Sequence, residues 1–427
     1  MANTIVTASV IAKEALAILE NELGVLKTMH RAHEDEFTEK VNGYMVGSTV
    51  NIRRPADFTV RTGATLSAQD TLEGTIPLTV DQQKGVDFQL TSIEMTLQIE
   101  EISERILKPA MSALINDVAR DVFSEMYKSA YDIVNCTTTG SGATPDPTKR
   151  IDSFAKLSCA PERLDLMAVP NAQRAASLHP QDEWGMLGAQ TALFISGAAN
   201  DAYRNGNLGM VAGMDTYMSQ VMPTHQVGPL GGAPLINGGA QSVLYSAILG
   251  TAGSWSQNLI TDGWTAAAAS RWKRGDTFQI TGVNKVNPKT KVSTGVLQTF
   301  VVLADVSSDG AGNLTASISP PIIITGPHQT VDAAPADNAP IITTIGGTAN
   351  QLIRQNLAYH KTSMALAFVP MVLPPGAVNP ARESYKNMSV RVIPVYNGQT
   401  DLNQWRLDLL YGRKAIDVRK MARFTSG

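Results

Sequence analysis

His30, His33, Glu34 and Glu36 are the nearest thing in this sequence to a metal cluster. Imidazole and carboxylate are the ligands a divalent ion would choose, but the H-x-x-H-E spacing matches neither zincin form. A solvated polar face is the plainer reading. Cys136 and Cys159 could supply thiol chemistry, but neither has a histidine nearby in sequence to activate it. Gly206, Gly209 and Gly213 have the wrong spacing for a dinucleotide loop, and no G-x-x-x-x-G-K-[ST] or G-x-S-x-G motif occurs. The sequence therefore predicts no catalytic residues, no metal site and no cofactor.

Two further motifs concern binding. Arg53-Arg54 stand beside Pro55, where paired arginines suggest phosphate contacts. With a formal net charge of -3 and no basic patch, edge protection or contact with a neighbouring molecule is preferred over nucleic-acid binding. Arg274-Gly275-Asp276 spells the tripeptide of cell-adhesion ligands. It sits directly before an expected strand, Thr277–Ile280, where glycine permits positive φ and aspartate accepts local backbone hydrogen bonds. A structural turn is the expectation.

The chain has 427 residues, 43 % hydrophobic and 17 % charged, enough for two or three globular domains. Two cysteines and an N-terminus without a basic-then-apolar leader predict reduced thiols and no signal peptide. No apolar run reaches the length of a membrane span; Met364–Leu373 is broken by Pro370.

Helical spacing of Val10, Ala15, Leu16, Leu19, Leu23 and Leu26 predicts a first helix. The period then changes to alternation. Val50 and Ile52, with Phe58 and Val60, read as an edge strand around Pro55; Ile76 to Leu90 reads as its partner. The two form a long hairpin, 48–92, too poor in apolar residues to stabilise itself, so it is expected to lie on something else. Leu107, Met111, Leu114, Ile115, Val118, Val122 and Met126 make the clearest stripe. With Pro109 in its first turn, that helix would be about 33 Å long.

Leu164–Val169 reads as a short buried strand leading into a helix at Asn171–Leu178, and Met214–Tyr217 as a strand. From Gly228 to Asn350 helical stripes disappear. Short strands at Thr277–Ile280, Thr299–Leu303 and Leu314–Ile318 alternate with turns, the pattern of a small β-barrel or sandwich, with Trp255, Trp264, Trp272 and Phe278 as core candidates. Strands at Met388–Val395, Leu402–Tyr411 and Ile416–Phe424 follow. A β domain inserted into an α+β domain accounts for this order.

The stretches "GSTVNIRRPADFTVRTG", "LGMVAGMDTYMSQVMPTHQVG", "WKRGDTFQITGVNKVNP…LQTFVVL…ISPPIII" and "WRLDLLYGRKAIDVRKMARF" occur in that order. Together they resemble the major capsid (coat) proteins of tailed bacteriophages, notably those of short-tailed Salmonella phages, in which a Lys-x-Gly-Asp turn likewise opens a strand of an inserted β domain. No single motif carries the resemblance; the ordered series over nearly the whole chain does.

The resemblance implies the α+β major capsid fold of tailed phages and herpesviruses, with peripheral and axial domains, a spine helix, an extended loop and an inserted small β-barrel. The divisions it suggests are an arm at 1–47, the extended hairpin at 48–92, and peripheral domain with spine and first axial part at 93–227. The insertion takes 228–350, and the axial and peripheral remainder 351–427. It implies self-assembly into pentamers and hexamers of an icosahedral head. The implied partners are a scaffolding protein, a portal protein, a decoration protein and non-specifically contacted double-stranded DNA, with no membrane. Assembly would take place in the bacterial cytoplasm, and the shell would expand during packaging. Arg53, Arg54, Asp70, Glu73 and Lys84 are the candidate intersubunit contacts. Some relatives crosslink a loop lysine to a neighbour's asparagine; Lys84 has that place, but noncovalent assembly is the expectation. A non-viral protein cage of the same fold, or an enzyme whose site forms only in the folded chain, are the other readings. The large insertion favours the phage protein.

Overall fold

The computed structural model describes residues 8–38, 40–41, 44–45, 47–66, 68–91, 103–137, 140–142, 144–190, 208–248, 255–267, 269–385 and 388–426. They fall into two compact units. One takes 1–51, 77–122 and 364–414; the other takes 52–76, 123–363 and 415–427.

The first unit is built on a sheet in the order Ala381–Tyr385, Met388–Asn397, Leu402–Ala415, Thr75–Thr91, Thr49–Arg53, with Met364–Phe368 also paired to Leu402–Ala415. Trp405, Leu407, Leu409 and Tyr411 share one face, as the alternation requires, and all four are buried. The helix Ala8–Glu22 packs on Met388–Asn397 and Ala381–Tyr385. It buries Ile11, Ala15, Leu16 and Leu19, while Val10 stands off the stripe and is exposed. The hairpin does not lack support. Its second strand pairs with Leu402–Ala415 from Thr91 to Val80, in register Trp405 to Phe88 and Leu409 to Lys84. Its first strand is short, ending at Arg53. Phe58 and Val60 belong to no strand and are 57 % and 94 % exposed.

The spine helix runs Lys108–Ser129 and buries the stripe read from the sequence from Met111 to Met126; Leu107, also buried, ends the short turn Ser103–Leu107 before it. Asp121 of this helix accepts hydrogen bonds from Tyr411 Oη at 2.7 Å and pairs with Arg413 at 2.8 Å.

The second unit contains a seven-stranded sheet, in which Asn356–His360 lies between Met421–Ser426 and Arg174–Leu178. Here two sequence expectations are reversed. Leu164 lies in a helix, Cys159–Leu166, with Pro161 in its first turn, and Arg174–Leu178 is a fully buried strand. The alanines of NAQRAASL favour a helix in isolation, but the strand has a neighbour on each side and tertiary pairing overrides propensity. Met214–Met218 is a strand as expected. Ile416 to Lys420 is not: a 3₁₀ turn at Val418–Lys420 precedes the last strand, Met421–Ser426. Cys136 and Cys159 are buried free thiols in the apolar layer under this sheet.

The helix Pro180–Gln190 carries Glu183, 2 % exposed, whose Oε2 has no hydrogen-bond partner among the described residues. Burial raises its pKa from 4.5 to about 7. The folded chain therefore holds this proton more tightly than the unfolded chain. The resulting stability is complete below pH 4.5 and is lost as pH rises through 7. Glu183→Gln should stabilise the chain by about 2–3 kcal/mol at pH 8 and by far less at pH 4.5. Denaturation midpoints at the two pH values check this; an equal shift at both contradicts it.

The insertion is a closed barrel in the order Gly232–Ile236, Gln257–Trp264, Leu314–Ser319, Ser293–Val302, Thr277–Val286, Ile341–Ile342. Closure comes from Leu235 opposite Pro340, with Ile236 N donating to Ala339 O at 3.1 Å and Asn338 N to Ile236 O at 2.9 Å. Trp264 meets Trp272 edge-on and Trp272, Phe278 and Phe300 stack in turn, a continuous aromatic cluster with successive centroids 4.7, 4.8 and 5.5 Å apart. Trp255 is not in this core; it lies beneath Arg54.

Candidate assembly site

The Arg274-Gly275-Asp276 turn is where the barrel is tied to the rest of its unit. Gly275 has φ +100°. Asp276 is 3 % exposed, and its carboxylate accepts from Lys273 N at 2.7 Å and Gly228 N at 3.1 Å and pairs with His225 Nε2 at 2.7 Å. Burial pushes the His225 pKa down, against the pull of Asp276. Arg274 makes two hydrogen bonds to Glu125 on the spine helix, 2.8 and 2.9 Å. The Gly275 carbonyl accepts from Arg423 Nη1 at 2.9 Å; burial lowers the pKa of Arg423 to about 10. An adhesion receptor would need the aspartate in solvent. Here it is consumed in closing a turn.

A second tie is wholly buried. Lys285 Nζ lies 2.8 Å from Asp132 Oδ2, the side chains 0 % and 2 % exposed. Burial pushes the lysine pKa down. Removing either partner would strand the other charge, at about 3–5 kcal/mol. A charge inside a largely apolar stretch is the sequence sign of such a pair, and Asp132 in "YDIVNC" shows it, whereas Lys285 in "VNKVNP" stands among asparagines and does not. Nothing local in the sequence marks the roles of Glu125 and His225.

The five hairpin residues have different surroundings. Arg53 and Glu73 are exposed and 3.6 Å apart across the hairpin, and Asp70 is exposed. Arg54 is 8 % exposed, its guanidinium 4.4 Å from the centre of the Trp255 ring and 3.9 Å from Asp417. Lys84 bonds to Asp117 on the spine helix, and that bond is the main cause of the lowered Asp117 pKa. Arg54 and Lys84 are thus engaged within their own chain, and Lys84 serves as an ionic anchor for the hairpin strand.

The His30–Glu36 stretch is also structural. Glu34 is buried, bound by Arg31 at 2.8 and 2.9 Å and by Phe368 N at 3.2 Å, while His33 pairs with Glu36 at 2.7 Å. Among the described residues no group of three or more His, Cys, Asp or Glu could hold a metal ion. No described helix is long and apolar enough to cross a membrane. Gly209 and Gly213 take positive φ, Gly213 in a turn, and Gly206 lies outside the described residues.

An extended hairpin, a long spine helix, a mixed sheet and an inserted barrel in this chain order are the parts of a tailed-phage major capsid subunit. The family model described as P22 coat protein, gene protein 5, matches residues 2–420, and the chain belongs to that family of structural coat proteins. No curated protein matches. Solved structures similar to the chain include one from Mycobacterium phage Che8, at 12 % identity over 93 % of this chain and 89 % of that one, TM-score 0.47. Another is the capsid of Ralstonia phage GP4, at 8 % identity over 93 % and 86 %, TM-score 0.44. A third is a virus-like particle from Pyrococcus furiosus, at 6 % identity over 97 % of each chain, TM-score 0.38.

Proposed function

We propose that this coat protein assembles into pentamers and hexamers of an icosahedral head around double-stranded DNA, and that the tip of its hairpin makes the contact between subunits. The observation that carries the reading is the tip itself. Among the described residues of 54–74 none belongs to a strand, and Phe58, Val60 and Leu66 are 57 %, 94 % and 85 % exposed. Fully burying such side chains contributes about 1.5–3 kcal/mol each, whereas an exposed ion pair contributes about 0–1 kcal/mol. The apolar residues therefore outweigh Arg53, Asp70 and Glu73, which set register at the rim. Assembly is noncovalent, since Lys84 is held by Asp117. The first unit takes the part of the peripheral domain and the seven-stranded sheet that of the axial domain. A scaffolding protein directs procapsid assembly in the bacterial cytoplasm, the portal occupies one vertex, and the shell expands on packaging. Packaged DNA is contacted weakly and without sequence preference, since a chain of net charge -3 brings little excess Lys and Arg to neutralise phosphates. A decoration protein would bind outside. The chain performs no catalysis. Expression with and without the scaffolding protein tests this: uniform shells with scaffold and irregular ones without are expected. Soluble monomer under both conditions would refute it.

A further inference from the structure

The root of the hairpin tip is held by the inserted barrel. Asp57 accepts from Arg419 Nη1 at 2.6 Å and lies 3.4 Å from His328 Nδ1. Arg419 in turn donates through Nε to Asp417 at 3.0 Å, and Asp417 faces Arg54. His328 is stacked on Tyr245, centroids 3.7 Å apart, and Trp255 sits edge-on to both rings. The charged side chains are mostly withdrawn from water: Arg54 is 9 % exposed, Asp57 12 %, Asp417 8 %. Burial alone would raise the carboxyl pKa of Asp57. The His328 hydrogen bond and Arg419 outweigh it and hold Asp57 well below the ordinary carboxylate range. Three segments far apart in sequence thus converge: the hairpin root, the barrel and the turn before the last strand. Farther out, Gln69 spans the tip, accepting from Thr59 N at 2.9 Å and donating to Thr59 O at 2.6 Å.

We infer that Asp57, His328 and Arg419 form a positioning clamp through which the inserted barrel sets the direction in which residues 58–73 leave the subunit. This rests on the reading of the tip as an intersubunit contact only for its consequence, shell geometry. The clamp works because two oppositely charged pairs, shielded from water, favour one arrangement over its neighbours. Charge and ring geometry must both be satisfied, so the root has little freedom to rotate. Without the clamp, the rung at Gln69 would hold the tip's two sides together but not their direction.

The test uses the full chain with spin labels at Leu66→Cys and Thr290→Cys, both exposed positions; Cys136 and Cys159 are buried. Electron–electron resonance then gives the distance distribution between tip and barrel. The distribution is expected to be narrow in the parent and at least about twofold wider in Asp57→Ala and His328→Ala. Phe300→Leu, which disturbs the barrel core away from the clamp, should keep the parent width. Should the alanine variants fail to fold, Asp57→Asn preserves side-chain size and is read in the same way. Widening in the clamp variants but not in Phe300→Leu supports the inference. Parent width in the clamp variants, or equal widening in Phe300→Leu, overturns it. Shells are scored separately by electron microscopy of unlabelled protein. A parent that forms no shells refutes the assembly reading and leaves the distance result standing, whereas a widened tip with shells of unchanged diameter refutes the geometric consequence alone.

Discussion

A chain lacking residues 58–70 should fold normally and fail to close into shells. The described residues of the tip contribute nothing to the core: Phe58, Val60 and Leu66 face solvent, and the nearest buried positions are Arg54 at the root and Ile76 in the second strand. Its removal therefore exposes little new apolar surface, and the thermal midpoint should stay within a few degrees of the parent. Assembly is different. Each subunit would lose the apolar contacts that its tip makes with a neighbour, about 1.5–3 kcal/mol per side chain at full burial, and symmetry repeats the loss at every position of the shell. Sedimentation should show soluble subunits or small oligomers where the parent gives particles. Shells of normal yield and diameter from the deletion would remove the tip from the account.

Gly275→Val should destabilise the chain strongly, through two separable effects. At φ +100° a β-branched side chain is strained, by about 1–3 kcal/mol. Its Cβ would also come within 3.3 Å of both His225 Cε1 and Lys128 Cγ, where those atoms must give way. The first effect belongs to the barrel, the second to the packing around it. The excised segment 228–350 should fold alone, because the barrel closes on its own strands around its own aromatic cluster. In that fragment only the backbone strain remains, a fall in midpoint of several degrees. In the full chain the fall should be larger. A disordered fragment, or a valine variant that melts with the parent in both contexts, would contradict the turn's role.

The spine helix and the barrel strands were legible because their patterns are complete. Every stripe residue of Lys108–Ser129 is buried, and Thr277, Leu314 and their neighbours alternate between bounding turns. What misled the reading was context that a local pattern cannot carry. Arg174–Leu178 is a strand because two others flank it, despite its alanines. Phe58 and Val60 continue the alternation of Val50 and Ile52, but alternation does not show whether a partner strand exists, and here the strand ends at Arg53. The size of Trp255 suggests a place in the barrel core, but its ring packs against Arg54 and His328. The Arg274-Gly275-Asp276 turn is legible in the sequence, since glycine before an aspartate that caps its own turn is a local matter. The charges that hold the barrel in place, Glu125, Asp132 and Lys285, acquire their meaning only from partners more than a hundred residues away.

The central claim is that this chain is a building block of a closed shell whose subunits are joined through the hairpin tip. Cryo-electron microscopy of particles assembled from the purified chain with its scaffolding protein tests it most directly. The account predicts icosahedral shells of pentamers and hexamers, with density for residues 58–70 lying on an adjacent subunit. Shells in which that density stays on its own subunit, or preparations containing no closed particles, would contradict it.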